Sequence, residues 1–387
     1  MTRLLATVTG RDHPGVTAAL MDALTSVSAT VEDVEQVVVH GRLLLGIAVA
    51  PDSLAVRDAL TAAARALSVD VDLQPLADDG AGGSVVRHHV TVLGAPLLPA
   101  ALAAVTRRIA SCGANIERVV QLSRYPATAY ELLVSGGSGL QAELAAEAVA
   151  QSVDVAVERA SLYRRARRLV VMDVDSTLVQ GEVIEMLAAE AGCEAEVAAV
   201  TSAAMAGELD FEESLRARVA LLEGLPVEAV DRVRAAVELT PGARTLVRTL
   251  KRLGYAVGVV SGGFTAVTDD LAASLGLDHA RANVLEVVDG RLTGRVVGAV
   301  VDRAAKATAL REFAALEGLT MAQTVAIGDG ANDLDMLDAA GLGIAFNAKP
   351  VVREAADTGI SVPWLDTVLY LLGITRDEVE AADAQDG

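Results

Sequence analysis

The chain has 387 residues, 52% of them hydrophobic, which is enough for two or three packed cores and excludes a disordered or fibrous protein. It carries 32 Lys and Arg against 52 Asp and Glu, a formal net charge of −20, and only 3% aromatic residues, so a nucleic-acid partner is not expected. From Met1 to about Arg159 short apolar strands alternate with alanine-rich helices, running twice through strand, helix, strand, strand, helix, strand. The two copies are related in sequence. Ser28 to Gln36 aligns with Gly113 to Gln121 at an offset of 113 − 28 = 85 residues, and Gly10 and Gly94 each end a first strand. Between the copies, Ala77 to Ser84 is polar and glycine-rich, as a linker should be.

This repeat resembles the ACT domain, a ferredoxin-like βαββαβ module that binds amino acids. The resemblance predicts ACT-like domains over 1–76 and 85–159. In the first copy, Gly10-Arg11-Asp12-His13-Pro14-Gly15-Val16 looks like the family's ligand loop, which implies an effector site using Gly10, Asp12 and Gly15. The glycines would let the backbone approach the ligand, and Asp12 would accept from its ammonium. Asp12 could also cap the helix that starts near Pro14. The second copy, Gly94-Ala95-Pro96-Leu97-Leu98-Pro99, has no acid at this place, so a role as spacer or partner module is open to it.

Tyr163 to Arg168 is rich in arginine and reads as a solvated junction. Directly after it, the apolar run Leu169 to Met172 predicts a buried parallel strand, and Asp173-Val174-Asp175-Ser176-Thr177 places two carboxylates where that strand meets solvent. Paired acids here invite a divalent cation and phosphoryl chemistry, although a strand-ending turn also favours Asp and Thr. Three further segments follow. Gly258 to Gly263 is an apolar strand ending in Ser261 and two glycines, a shape that admits an anion but also serves as plain punctuation. Lys306 lies early in an alanine-rich helix, where a lysine is commonly solvated. Val325 to Asp333 is a third apolar strand, closed by Gly328-Asp329-Gly330-Ala331-Asn332-Asp333. Crowding like charges there has no packing benefit, and a metal would relieve it.

In this order the four segments resemble the haloacid dehalogenase superfamily of phosphatases, in its phosphoserine-hydrolysing branch, from about Arg168 to near Leu372. The resemblance implies an α/β fold over 168–376, with a Rossmann-like parallel sheet flanked by helices and an α-helical cap inserted after the first strand. It implies Asp173 as nucleophile and Asp175 as general acid and base. Mg²⁺ would be held by the Asp173 carboxylate, the Asp175 carbonyl and Asp329, with Asp333 in support, while Ser261, Gly262, Lys306 and Asn332 would lie at the phosphate. The predicted helical stretch 181–239 is the cap. There the resemblance puts Glu182 on the substrate ammonium and Arg218 on its carboxylate, with Met205 and Phe211 closing the pocket; taken alone, such a Glu or Arg is commonly a solvated surface residue.

The expected substrate is therefore a small molecule, O-phospho-L-serine, with serine or glycine as a candidate effector at the ACT modules and a homodimer as the expected assembly. Phosphohomoserine or another small phosphomonoester, or a non-catalytic amino-acid-responsive regulator, are the competing functions. The two cysteines, Cys112 and Cys193, fall in different predicted domains, so neither a disulfide framework nor a thiolate metal site is expected. No signal-type segment or bilayer-length apolar run is present, and a cytoplasmic location without membrane contact is expected. The acidic stretch after Thr375 has the composition of a frayed end.

Overall fold

The computed structural model describes residues 2–76, 86–205 and 208–386. The chain divides into two compact units, 1–85 and 86–387. The predicted linker at 77–84 lies outside the described residues.

The first unit contains β1 (Arg3–Arg11), α1 (Val16–Ser26), β2 (Thr30–Val39), β3 (Arg42–Ala50), α2 (Leu54–Leu67) and β4 (Asp70–Leu76), with sheet order β2-β3-β1-β4. Strict alternation builds it: Leu4, Ala6 and Val8 of β1 and Leu43, Leu45, Ile47 and Val49 of β3 point at Leu20, Leu24, Val56 and Leu60 of the two helices. The opposite sheet face carries the exposed Val37, Val39 and Leu44. Asp12 does not cap α1. The helix begins after Gly15, whose φ is 97° and which offers no side-chain cap, and Asp12 instead donates its backbone N–H to the Gly41 carbonyl at 2.9 Å.

The second unit opens with the same βαββαβ order: β5 (Arg87–Gly94), α3 (Pro99–Ser111), β6 (Ala114–Ser123), β7 (Thr128–Gly136), α4 (Leu140–Gln151) and β8 (Asp154–Arg159), in sheet order β6-β7-β5-β8. One face of this sheet covers α3 and α4 through Val90, Val92, Val105, Ile109, Leu132 and Leu144. The other face buries Leu93, Ala129 and Ala156 in the same core as the sheet that follows.

That sheet has seven strands in the order β12-β11-β10-β9-β13-β14-β15, formed by β9 (Leu169–Met172), β10 (Ala256–Phe264), β11 (His279–Val288), β12 (Arg291–Val297), β13 (Thr324–Gly328), β14 (Leu342–Phe346) and β15 (Thr358–Ile360). All neighbours pair in parallel except the β11–β12 hairpin. The charge-free strand β9 lies at the middle, fully buried on both sides. Its even residues Val170 and Met172 face Leu246, Val247 and Leu250, and its odd residues Leu169 and Val171 face Leu310, Phe313 and Met336. Between β9 and β10 come the cap helices α5 (Val183–Ala191), α6 (Glu194–Met205), α7 (Phe211–Ala220) and α8 (Val227–Ala236), followed by α9 (Ala243–Arg252). The cap leaves and returns through adjacent strands, where Val179 pairs with Leu239 and the Thr240 N–H donates to the Leu178 carbonyl at 2.9 Å. The remaining crossovers are α10 (Thr265–Leu275), α11 (Arg303–Leu316), α12 (Leu334–Ala339) and α13 (Pro350–Ala355).

Two expectations need correcting. The arginine-rich junction is not solvated throughout: the Arg168 side chain is 3% exposed and donates to Glu158 Oε1 at 2.6 Å, while Arg164, 10% exposed, bonds Glu131 of β7. Burial pushes the Glu131 carboxyl up, but His89 and Arg164 outweigh it and hold it at about 2. A local charge count misses this because the partners sit on strands folded back from the preceding module. Nor does the stretch after Thr375 fray. It forms a helix, Arg376–Asp386, whose first turn is capped by Thr375 and Glu378 and whose Asp383 meets Arg248 and Arg252 of α9. Cys112 and Cys193 are both free, and among the described residues no helix is long and apolar enough to cross a membrane.

Replacing Arg168 with Ala leaves Glu158 half-paired in a buried setting, because Arg164 still lies 3.3 Å away. Chemical denaturation of Arg168→Ala should show a loss near the lower end of ~3–5 kcal/mol; a change of a few tenths would mean that the junction is energetically silent.

Candidate active site

The carboxyl ends of β9, β10 and β13 converge where the chain steps from β9 to opposite sides of the sheet, the position at which open α/β sheets hold ligands. Asp173 follows β9 directly and is anchored by its backbone N–H to the Ile327 carbonyl of β13 at 2.8 Å. Its Oδ1 accepts from the Val174 N–H and from Lys306 Nζ, both at 2.8 Å. Oδ2 has no hydrogen-bond donor among the described residues.

Lys306 reaches this point from the second turn of α11, which Asp302 starts by accepting from the Ala305 N–H at 2.8 Å. Its ammonium is fully buried between Asp173 and Asp333, 2.7 Å from Asp333 Oδ1. Burial works against that charge, but the two carboxylates outweigh it and raise the lysine above its ordinary range. The other oxygen of Asp333 accepts from the Gly330 N–H at 3.0 Å. Only glycine fits at position 328, since a Cβ there would overlap the Asp333 carboxyl.

The acids outnumber this one cation. Oxygens of Asp173, Asp329 and Asp333 lie within 4.8 Å of one another. Asp173 is pushed well up, by burial first and by Asp333 next, against the pull of Lys306. Asp329 rises to about 6 through burial and Asp333, although Thr177 donates to its Oδ1 at 3.0 Å. An all-oxygen cluster whose members resist ionisation suits a hard divalent cation. The Asp175 side chain stands apart from this cluster. Its Oδ1 accepts from the Val183 N–H at 2.8 Å and its Oδ2 from Ser261 Oγ at 3.1 Å, and burial raises it.

From the cap, Glu182 precedes α5 and accepts from Ser176 Oγ at 3.3 Å. Burial, then repulsion from Asp175 and Asp329, lifts it to about 7. Arg218, on α7, is half-buried and within electrostatic reach of Glu182 and Asp175, and its Nε donates to the Ser214 carbonyl at 3.3 Å. Phe211 closes on the β10 loop, its Cζ 3.0 Å from where a Cβ on Gly262 would lie. Asn332 folds over Gly330. Asp173, Asp175, Glu182, Phe211, Arg218, Ser261, Gly262, Lys306, Asp329, Asn332 and Asp333 thus gather around the end of β9. The Met205 side chain lies outside the described residues.

Gly10, Asp12 and Gly15 belong to the first unit and are described within it. A Cβ on Gly10 would press on Val69 Cγ1 at 2.6 Å, and Asp12 is exposed. Thr177 was visible inside the Asp-rich motif, whereas one polar residue of the catalytic region, buried Asn283 in the unremarkable run Ala282-Asn283-Val284, carried no signal in sequence.

Comparison with known proteins defines the class. The family described as haloacid dehalogenase-like hydrolase matches residues 170–338, and the ACT domain matches 2–74 and again 86–158. A phosphoserine phosphatase of Streptomyces coelicolor is 61% identical over 98% of this chain and 94% of its own length. Phosphoserine phosphatase SerB2 of Mycobacterium tuberculosis is 54% identical over 99% of this chain and 96% of its own. A solved phospho-aspartyl intermediate analogue of phosphoserine phosphatase, 47% identical, covers 53% of this chain and 98% of that one with a TM-score of 0.51. The chain belongs to the phosphoserine phosphatase family of haloacid dehalogenase-like hydrolases, with two ACT domains ahead of the hydrolase domain. It is a phosphoric monoester hydrolase.

Proposed function

We propose that this chain hydrolyses O-phospho-L-serine to L-serine and phosphate, the last step of serine biosynthesis. The observation that carries the reading is the pairing of Asp173, pinned by buried Lys306, with a cap that brings one carboxylate and one guanidinium within electrostatic reach of Asp175. The names borne by full-length relatives at 61% and 54% identity support the substrate.

In this reading the Asp173 carboxylate attacks phosphorus and the bond from phosphorus to the seryl oxygen breaks. Asp175, raised by burial and so able to carry a proton, donates it to that oxygen. Water then attacks the aspartyl-phosphate; Asp175 takes its proton back and phosphate leaves Asp173. Ser261, the Gly262 N–H, Lys306 and Asn332 hold the phosphoryl oxygens, where charge spreads as bonds change. Glu182 takes the ammonium, Arg218 the carboxylate, and Phe211 with Met205 excludes water. Asp173, the Asp175 carbonyl and Asp329, with Asp333 in support, would hold Mg²⁺, which would supply positive charge at the phosphoryl group.

The same module pairing supports serine or glycine binding at the Gly10–Gly15 loop. The exposed valines of β2 support a homodimer, since a chain of this kind has reason to cover them.

Phosphate release from O-phospho-L-serine should exceed that from phosphohomoserine and phosphoglycolate, stop with chelator and return with Mg²⁺. Asp173→Asn should lower it roughly 10³-fold or more. Chelator-insensitive turnover, or a preference for another ester, would sink the assignment. For pH, a protonated Glu182 no longer attracts an ammonium, so kcat/KM should fall as pH drops through about 7. Glu182→Gln should abolish that limb and cost about tenfold above it. A limb unchanged in the variant assigns it to another group. Finally, turnover should respond to added serine or glycine, and Asp12→Ala should remove the response; indifference of the parent protein to both would leave the modules an assembling role.

A further inference from the structure

Asn283 is 1% exposed and lies on β11 beside an irregularity in its pairing with β10. The ladder runs in register through Val260↔Arg281, then breaks until Phe264↔Asn283, and the bulge so formed contains Ser261, Gly262 and Gly263. Two backbone groups beside this break are answered by the Asn283 amide. Its Nδ2 donates to the Gly262 carbonyl at 2.8 Å, and its Oδ1 accepts from the Val301 N–H at 2.8 Å. Val301 immediately precedes Asp302, which starts the helix carrying Lys306.

The first of these bonds has a directional effect. The Gly262 carbonyl and the Gly263 N–H belong to one planar trans peptide and point opposite ways. Holding the carbonyl toward Asn283 therefore aims the Gly263 N–H at Ser261 Oγ, which accepts it at 2.7 Å. With a lone pair of that hydroxyl taken, its proton is directed to Asp175 Oδ2, 3.1 Å away. No side chain can intervene, because a Cβ on Gly263 would lie 2.8 Å from Asp175 Oδ2 and 2.9 Å from Ser261 Oγ.

We infer that Asn283 is a positioning residue for phosphoryl transfer: through the Gly262–Gly263 peptide it sets the rotor of the Ser261 hydroxyl against Asp175. The inference rests on the proposed phosphoserine hydrolysis. The carboxamide offers a donor and an acceptor in one planar group, and an ionised Asp in its place keeps the bond from Val301 while losing the one to Gly262.

A double-mutant cycle in the full chain tests it, with phosphate release from O-phospho-L-serine read as kcat and KM separately. Asn283→Asp and Asn283→Leu should each lower kcat at least about tenfold with KM changed less than about threefold. In a Ser261→Ala background, where the rotor no longer exists, either change should lower kcat by less than about threefold. A full, additive loss in that background, or an unchanged kcat in the parent, overturns the role. Circular dichroism and thermal melts check folding, and should Asn283→Leu not fold, Asn283→Asp gives the same reading with the Val301 bond retained. An inactive parent protein would instead indict the proposed function, so the two failures are distinguishable.

Discussion

One buried ammonium organises the hydrolase domain. Lys306 is fully buried against two carboxylates, and removing either partner would strand a charge in a medium that solvates it poorly. The contact ties the end of β9, the second turn of α11 and the turn after β13 to one point. The last two segments are also held by local bonds, the Asp302 cap on α11 and the bond from the Gly330 N–H to Asp333 after β13. The lysine thereby converts three separate chain ends into a rigid frame in which a reacting group can be positioned without reorganisation.

The same frame leaves a charge deficit. Four carboxylates and one ammonium share the carboxyl end of the sheet, and the raised values of Asp173, Asp175 and Asp329 express the strain of keeping them ionised out of water. A chain of net charge −20 cannot attract a phosphate ester at long range, so the attraction must be built locally from Lys306, directed N–H groups and a cation. The cap extends this logic. Glu182 sits at about 7 because it is buried next to acids, and a ligand ammonium is the kind of group that would relieve it, just as a ligand carboxylate would satisfy the largely unengaged guanidinium of Arg218.

The second ACT module is joined to the hydrolase core in a way that its own sequence does not announce. Asp154, at the start of β8, accepts from the Ser361 N–H at 2.7 Å and from Arg353, and Thr358 of β15 donates to the Val155 carbonyl at 3.2 Å. The apolar sheet face and the network of Arg164, Arg168, Glu131 and Glu158 complete the junction. A module without an acid in its ligand loop thus has a clear structural employment.

Much was legible in the residues themselves. Alternation of period two and charge-free runs announced the strands, because a side chain's face depends only on its place along the strand; the repeat, the cap helices and the three strand ends rich in glycine or acid followed from local pattern. The chemistry of the candidate site was legible for the same reason, since Asp173, Asp175 and Thr177 fall within one five-residue motif. Three features belonged to the tertiary structure alone. The burial of Arg164 and Arg168 depends on strands contributed by another module, the helix after Thr375 depends on arginines of α9, and Asn283 answers a carbonyl 21 residues away and an N–H 18 away. Such partners are brought together by the sheet order, and a sequence read locally carries the groups but not the distances between them.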